Sequence, residues 1–220
     1  VAGTETTAAA LTSTFHLLDR HPAIEAKLHE EADRVLGGRT AAFADLAALD
    51  YTRRVFHEAL RLYPPGWLLT RRTVAPVELG GQRLAAGTTV LFSPYALQRD
   101  PDFFPDPERF DPERFGPERE QDIPRFAMMP FSAGKRKCMG DAFAMNMAQI
   151  VLGTLAARFR LRATPASKVN RFPGMTLSVE TLPMRVEARP PAPGPTPLAR
   201  RSFASRTTRS LRSARCGLPK

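Results

Sequence analysis

Cysteine is scarce in this sequence. Only two of the 220 residues are cysteines, Cys138 and Cys216, so the fold does not rest on the disulfide framework that stabilises small secreted domains. A reducing compartment is therefore expected. Lysine is scarce too, because arginine outnumbers it 27 to 5, a bias typical of GC-rich bacterial genes. We therefore expect a cytoplasmic bacterial protein.

Long hydrophobic runs are also missing. No apolar stretch approaches the roughly 18–20 residues that a membrane helix needs. The sequence opens at Val1, inside an apolar helical pattern, and we expect it to be a fragment whose N-terminal half lies outside it. A signal or membrane anchor in that missing half stays open.

Acidic residues are absent from the C-terminal tail, residues 190–220, which holds seven basic residues and six prolines. Residues 1–189 are nearly balanced, with 25 basic and 22 acidic residues. The net charge of +10 therefore does not indicate a nucleic-acid surface on the folded body, and no nucleic-acid partner is expected. The tail is predicted to be disordered. It is alternatively a linker, translation past a frameshift, or an arm that seeks RNA or membranes.

What is present predicts a mainly α fold with a small antiparallel β component. Apolar residues at helical spacing predict four helices, at residues 1–18, 22–36, 49–63 and 140–157. Short β-prone runs predict strands within residues 67–93 and near 158–163, 176–180 and 184–188. Residues 100–131 are predicted to be a long ordered coil. The last helix is apolar on most sides, including Ala142, Phe143 and Leu155, and is predicted to be buried.

The sharpest chemical signal is a lone cysteine, Cys138, between a glycine-containing basic loop and the last helix. Helix N-termini and neighbouring cations favour the thiolate. Gly134 and Gly140 leave no side chain where a flat ligand must come close, and Arg136 suits a bidentate bond to a carboxylate. The alternative is a small buried cysteine in a loop.

Residues 131–140, Phe-Ser-Ala-Gly-Lys-Arg-Lys-Cys-Met-Gly, resemble the haem-ligand loop of the cytochrome P450 family, Phe-x-x-Gly-x-Arg-x-Cys-x-Gly, at every fixed position. The resemblance implies that Cys138 ligates the iron of haem b, that Arg136 holds a propionate, and that Phe131 packs on the proximal face. A thiolate ligand favours O–O cleavage. Residues 1–189 are thus expected to form the C-terminal portion of the P450 fold.

Glu58 and Arg61 lie at positions i and i+3 of the third predicted helix, which alone is a common surface pair. The resemblance implies instead a structural ion-pair network with an arginine from the coil. The coil holds a tandem repeat, Asp-Pro-Glu-Arg-Phe at residues 106–110 and again at 111–115. Arg114 in the second copy fits the family position better, and Arg109 is predicted to be a solvated neighbour.

Residues 2–7, Ala-Gly-Thr-Glu-Thr-Thr, resemble the oxygen-activation segment of the same family. A glycine in a helix opens room, and an acid beside a hydroxyl can relay protons. The resemblance implies that Thr6 is the alcohol and Glu5 the acid, whereas the segment alone is an ordinary capping run. It also implies that Arg71 contacts the second propionate, with Arg72 as the competing candidate.

The resemblance therefore implies a monooxygenase that inserts one oxygen atom from dioxygen into a small hydrophobic substrate, similar to bacterial terpene-oxidising members. No Gly-x-Gly-x-x-Gly motif for flavin or nicotinamide occurs, so a ferredoxin or flavin reductase is expected to supply electrons. Two alternatives stay open. One is a haem-binding but inactive remnant, and the other is a binding module that acts through its basic tail.

Overall fold

The computed structural model describes residues 2–190. Within this range the chain forms five α-helices: α1 (Ala2–Arg20), α2 (Pro22–Leu36), α3 (Asp50–Leu62), α4 (Pro94–Leu97) and α5 (Asp141–Ala156). Short 3-10 helices occupy Phe43–Ala48, Pro112–Phe115, Glu120–Asp122 and Gly134–Arg136. The predicted fold, mainly α with a small antiparallel β component, is confirmed.

Helices α2 and α3 show why these segments begin and end where they do. Pro22 opens α2 at a position where its missing N–H is not needed. Gly37 ends the helix in the left-handed conformation, at φ 54°, and its N–H reaches the Asp33 carbonyl. The first turn of α3 is capped from α2, because the buried Glu31 carboxylate accepts from the backbone N–H groups of Tyr51 and Thr52 at 2.7 and 2.8 Å.

Between residues 2 and 190, eight strands form four separate two-stranded antiparallel sheets. They are β1 (Leu69–Arg72) with β4 (Thr89–Phe92), β2 (Val77–Leu79) with β3 (Gln82–Leu84), β5 (Phe159–Ala163) with β8 (Met184–Ala188), and β6 (Lys168–Pro173) with β7 (Leu177–Thr181). Strand β6 was not predicted. Its pairing with β7 shifts register between Lys168 and Arg171, and such an irregularity breaks the period-2 pattern that reveals strands.

The core lies where α1, α2, α3 and α5 pack together. The helical spacing of apolar residues in α2 and α3 corresponds to one buried face on each helix, formed by Leu28, Ala32, Leu36, Val55, Ala59 and Leu62. The prediction for α5 was wrong in its first half. Phe143 is 66 % exposed, and the buried face is Ala148, Leu152 and Ala156. The reason is that the first turns of α5 border an open cavity instead of another helix.

The predicted division of the chain into a folded body and a C-terminal tail stays a prediction. The tail lies outside the described residues apart from Pro190, and Cys216 lies outside them as well. Among the helices of the described part, none combines the length and apolar character needed to cross a membrane.

Candidate functional site

The loop before α5 is a tight turn that presents Cys138. Ser132 and Gly134 both adopt positive φ, at 61° and 68°, which is costly for a serine and easy for a glycine. These two residues reverse the chain, so the Cys138 N–H donates to the Phe131 carbonyl at 2.9 Å. Gly134 in turn accepts from the Lys137 N–H at 3.1 Å. The loop thus closes on itself with the thiol at its end.

Cys138 stands two residues ahead of Gly140, the N-cap of α5. One of the predicted cations near the thiol is engaged elsewhere, because the Lys137 ammonium pairs with the Asp141 carboxylate. Hydrogen bonding from Lys137 lowers the pKa of Asp141. Arg136 and Gly140, the N-cap of α5, line the same cavity as Cys138, so Arg136 and the helix N-terminus are the positive features that this segment brings to the cavity.

Cys138 opens into a cavity of about 500 Å³. Helix α1, helix α3, the turn after α3 and the Cys138 loop all contribute to its wall, which is mostly apolar. The lining residues are Gly3, Thr6, Thr7, Ala10, Phe56, Leu60, Pro65, Gly66, Leu69, Pro130, Phe131, Ser132, Arg136, Cys138, Met139, Gly140, Phe143 and Ala144. The structure thus brings together two segments that are more than a hundred residues apart in the chain.

The donor chemistry of the cavity fits haem. Within residues 2–190, no three His, Cys, Asp or Glu side chains converge as they do in a metal site built by protein alone. A lone thiol suffices for an iron that carries its other ligands with it, as haem iron does. Gly3 adds to the fit, because a methyl group there would meet no atom within 4 Å. The packing of the chain itself therefore does not demand the glycine, which leaves the space free for a flat ligand.

Of the two predicted oxygen-activation residues, Thr6 lines the cavity and Glu5 does not. Thr6 and Thr7 line the cavity, whereas Glu5 is exposed on α1 and is not among the lining residues. Thr7 is buried, and its hydroxyl donates to the Gly3 carbonyl at 3.0 Å. Thr7 is therefore committed to a bond within the helix.

The two neighbouring arginines on β1 point to different partners. Arg71 Nη2 donates to the Ser132 hydroxyl of the Cys138 loop at 3.0 Å, while Arg72 Nε donates to the Gly87 carbonyl at 3.1 Å. Arg71 is thus the one that reaches the loop. Arg136 lies in the 3-10 turn of that loop and lines the cavity. Both predicted propionate-binding cations therefore flank the same loop.

Glu58 and Arg61 are completely buried in α3 and form an ion pair with an Nε to Oε2 distance of 2.7 Å. Arg114 is 4 % exposed and approaches the Glu58 carboxylate at 3.5 Å. The Arg109 side chain is exposed, and its main-chain carbonyl accepts from Arg61 Nη2 at 3.1 Å. The first copy of the tandem repeat thus contributes the Arg109 main-chain carbonyl to the ion-pair network, and the second copy contributes the Arg114 side chain.

Sequence reasoning missed two residues near the site. Ser132 anchors Arg71, and its positive φ has no signal in the sequence because serine rarely adopts it. Gln98 is completely buried between α3 and the segment that leads to the Cys138 loop. A single buried glutamine carries no pattern that would have revealed it.

Comparison with known proteins gives one consistent result. The family model described as Cytochrome P450 matches residues 1–188. The chain is 50 % identical over 189 residues to cyclooctatin synthase of Streptomyces melanosporofaciens, covering 86 % of this chain and 41 % of that protein. It is 44 % identical over 191 residues to pentalenene oxygenase of Streptomyces avermitilis, with 86 % and 42 % coverage.

Among solved structures, the heme domain of a cytochrome P450DA mutant superposes with a TM-score of 0.80 at 28 % identity. The match covers 85 % of this chain and 43 % of that one, and it confirms the predicted partial fold. The chain spans about two fifths of the length of the relatives that it matches.

Proposed function

The chain belongs to the cytochrome P450 family, and from this premise we propose that it forms the haem-binding part of a monooxygenase. The enzyme inserts one oxygen atom from dioxygen into a small hydrophobic substrate. The observation that carries the proposal is that Cys138 and Thr6 line one largely apolar cavity. A thiol and an alcohol that share such a cavity supply a metal ligand and a proton donor to the same space.

Members of the family bind haem, and the Cys138 thiolate would hold its iron. Bound haem b supplies the one-electron and dioxygen chemistry that side chains lack, and thiolate ligation favours cleavage of the O–O bond. The positive φ of Gly134 lets the loop turn tightly, so that the thiol stands at its end. Gly140 and Phe131, both in the cavity wall, leave a flat and apolar surface beside it.

Arg136 and Arg71 are the proposed partners of the two haem propionates. Guanidinium groups suit carboxylates because their planar donors bind both oxygens at once. Support comes from position, since Arg136 lines the cavity and Arg71 is bonded to Ser132 in its wall. These contacts would also restrict how the flat ligand can rotate.

Thr6 is the proposed proton donor toward dioxygen, because its residue lines the cavity. Glu5 is exposed next to it in α1, so its proposed role is on the solvent side, where it takes up protons for the hydroxyl. An acid and an alcohol in sequence can pass protons from the solvent side to the cavity in two short steps.

The substrate is proposed to be a terpenoid, since cyclooctatin synthase and pentalenene oxygenase are among the relatives and the cavity wall is mostly apolar. Apolar walls select substrates by shape and burial more than by hydrogen bonding.

A separate ferredoxin or flavin reductase is the proposed electron donor, in a cytoplasmic setting.

A carbon monoxide spectrum of the reduced, haem-loaded gene product tests the proposal. A thiolate-ligated haem gives a red-shifted Soret band, which we expect in the wild type and in Cys216→Ser. Cys138→Ser should abolish that band, because an alcohol does not replace the thiolate. Retention of the band in Cys138→Ser would remove the foundation of the proposal.

A further inference from the structure

Gln98, which follows α4 as its C-cap, is completely buried and uses both ends of its amide. Its Nε2 donates to the main-chain carbonyls of Leu60 and Arg61 at 3.1 and 3.0 Å. Its Oε1 accepts from the Met129 N–H at 2.9 Å. This demands a side chain with two donors and an acceptor, and of the side chains only the amides of Asn and Gln provide that set without charge.

The same residue is tied to the buried ion pair through its backbone. Arg61 Nη1 donates to the Gln98 carbonyl at 2.8 Å, while the Gln98 side chain holds the Arg61 carbonyl in return. Gln98 is therefore fixed to the end of α3 from both its main chain and its side chain. Its Oε1 faces away from α3, toward the coil that leads to Cys138.

Met129 is the point at which this fixed group meets the Cys138 loop. Its N–H is held by Gln98, and its carbonyl accepts from the Ser132 N–H at 3.1 Å, which starts the loop. Two residues later the Phe131 carbonyl accepts from the Cys138 N–H. Three successive hydrogen bonds thus connect the Gln98 amide to the residue that carries the thiol.

We propose that Gln98 is a positioning residue for the Cys138 thiol. By holding Met129 it fixes the start of the loop against α3 and the Glu58–Arg61 pair, so that the thiol keeps one position in the cavity. The proposal rests on the proposed function for the statement that this thiol is the iron ligand. Without the amide, the Met129 N–H loses its protein partner and the loop is free to shift.

The test compares Gln98→Met with Gln149→Met. Methionine keeps the length of glutamine but removes all three hydrogen bonds. Gln149 is the matched control, because it is 5 % exposed and its Nε2 also donates to two main-chain carbonyls, those of Leu46 and Leu49, both at 2.7 Å. Neither of these carbonyls belongs to the Cys138 loop.

Two measurements on the gene product are informative. The first is the share of the reduced, carbon monoxide-treated haem that shows the red-shifted Soret band. The second is hydrogen exchange at the Met129 amide in haem-free protein. We expect Gln98→Met to lower the red-shifted share and to speed Met129 exchange by about five- to tenfold, the effect of one lost hydrogen bond. Gln149→Met should do neither.

Gln98→His provides the milder variant if the methionine variant does not fold. A neutral imidazole keeps one donor and one acceptor, so it should restore part of both signals. Unchanged spectra and unchanged exchange in Gln98→Met would overturn the proposal, as would equal effects from Gln149→Met. A wild-type protein without the red-shifted band would instead overturn the proposed function, and Met129 exchange would still decide whether Gln98 fixes the loop.

Discussion

Glu58 and Arg61 bind each other through two hydrogen bonds, 2.7 and 2.8 Å long, with both side chains completely shielded from solvent. Burial raises the pKa of the Glu58 carboxyl, and the Arg61 donors act against that rise. The remaining Arg61 donors reach carbonyls of the coil, at Gln98, Pro107 and Arg109. The pair therefore joins α3 to a coil that has little secondary structure of its own.

Glu58→Ala is expected to destabilise the protein by about 3–5 kcal/mol, because it leaves the Arg61 charge buried without its partner. The variant should be poorly folded and should bind little haem. Urea denaturation and the haem content per polypeptide measure the two effects. Lys27→Ala is the control, since it removes a pair with Glu113 in which both side chains are about half exposed, and it should cost at most about 1 kcal/mol. Normal haem content in Glu58→Ala would contradict the prediction.

The tandem repeat offers a matched pair of arginines. Arg114→Met should lower the urea midpoint by an amount equivalent to about 3 kcal/mol, because Arg114 is buried against Glu58 and also donates to the Asp106 carbonyl at 2.8 Å. Arg109→Met should change it by less than about 0.5 kcal/mol, because only the main chain of Arg109 is used. Equal losses of stability in the two variants would show that the assignment of Arg114, and not Arg109, to the ion-pair network is wrong.

The helices were predictable because their burial is periodic. In α2 and α3, apolar residues recur on one face that packs on neighbouring helices, so the pattern carries the structure. The exposure of Phe143 was not predictable from the same pattern. A residue that borders a ligand cavity is apolar for the ligand, and sequence periodicity does not separate that cause from packing against protein.

The site was predictable only in part for a related reason. Cys138 and Arg136 lie in one short motif, and Glu58 and Arg61 lie one helical turn apart. The partners that complete the network are main-chain carbonyls and Gln98. Every residue has a main-chain carbonyl, so the sequence does not indicate which carbonyls accept these hydrogen bonds. Their positions follow from the folded path of the coil.

Acid should destabilise the protein through His57. Burial and the nearby Arg53 cation lower the pKa of His57 to about 4 in the folded state, whereas an unfolded histidine titrates near 6.5. The unfolded state therefore binds the proton first, and stability is complete above about pH 6.5 and falls as the pH drops toward 4. Because the ring is only partly buried, we expect a loss of about 2 kcal/mol.

Urea denaturation of the wild type and of His57→Leu, at several pH values between about 7 and 4.5, measures this effect. The difference in stability between the two proteins should shift in favour of the variant as the pH falls. His29, whose pKa is also lowered by burial, leaves a residual acid dependence in both. A pH-independent difference would show that His57 titrates alike in the folded and unfolded states.

Thr6→Ala should separate chemistry from assembly. The Thr6 residue lines the cavity that Cys138 also lines, and its loss should leave haem content and substrate binding unchanged. If the hydroxyl delivers protons for oxygen insertion, product per reductant consumed should fall on the order of tenfold. The missing electrons should be recovered as hydrogen peroxide, since two electrons and two protons convert dioxygen to that product when proton delivery is uncontrolled.

Two neighbouring variants make the test specific. Thr6→Ser keeps the hydroxyl and should restore most of the coupling between reductant and product. Thr7→Ala should matter less, because the proposed function assigns the proton-donating hydroxyl to Thr6 and not to the buried Thr7. The assay counts product, peroxide and reductant in the same reaction. Unchanged coupling in Thr6→Ala would show that residues 2–7 form an ordinary helical turn with no part in proton delivery. The proposed role of Cys138 would be unaffected, because it depends on a separate segment of the chain.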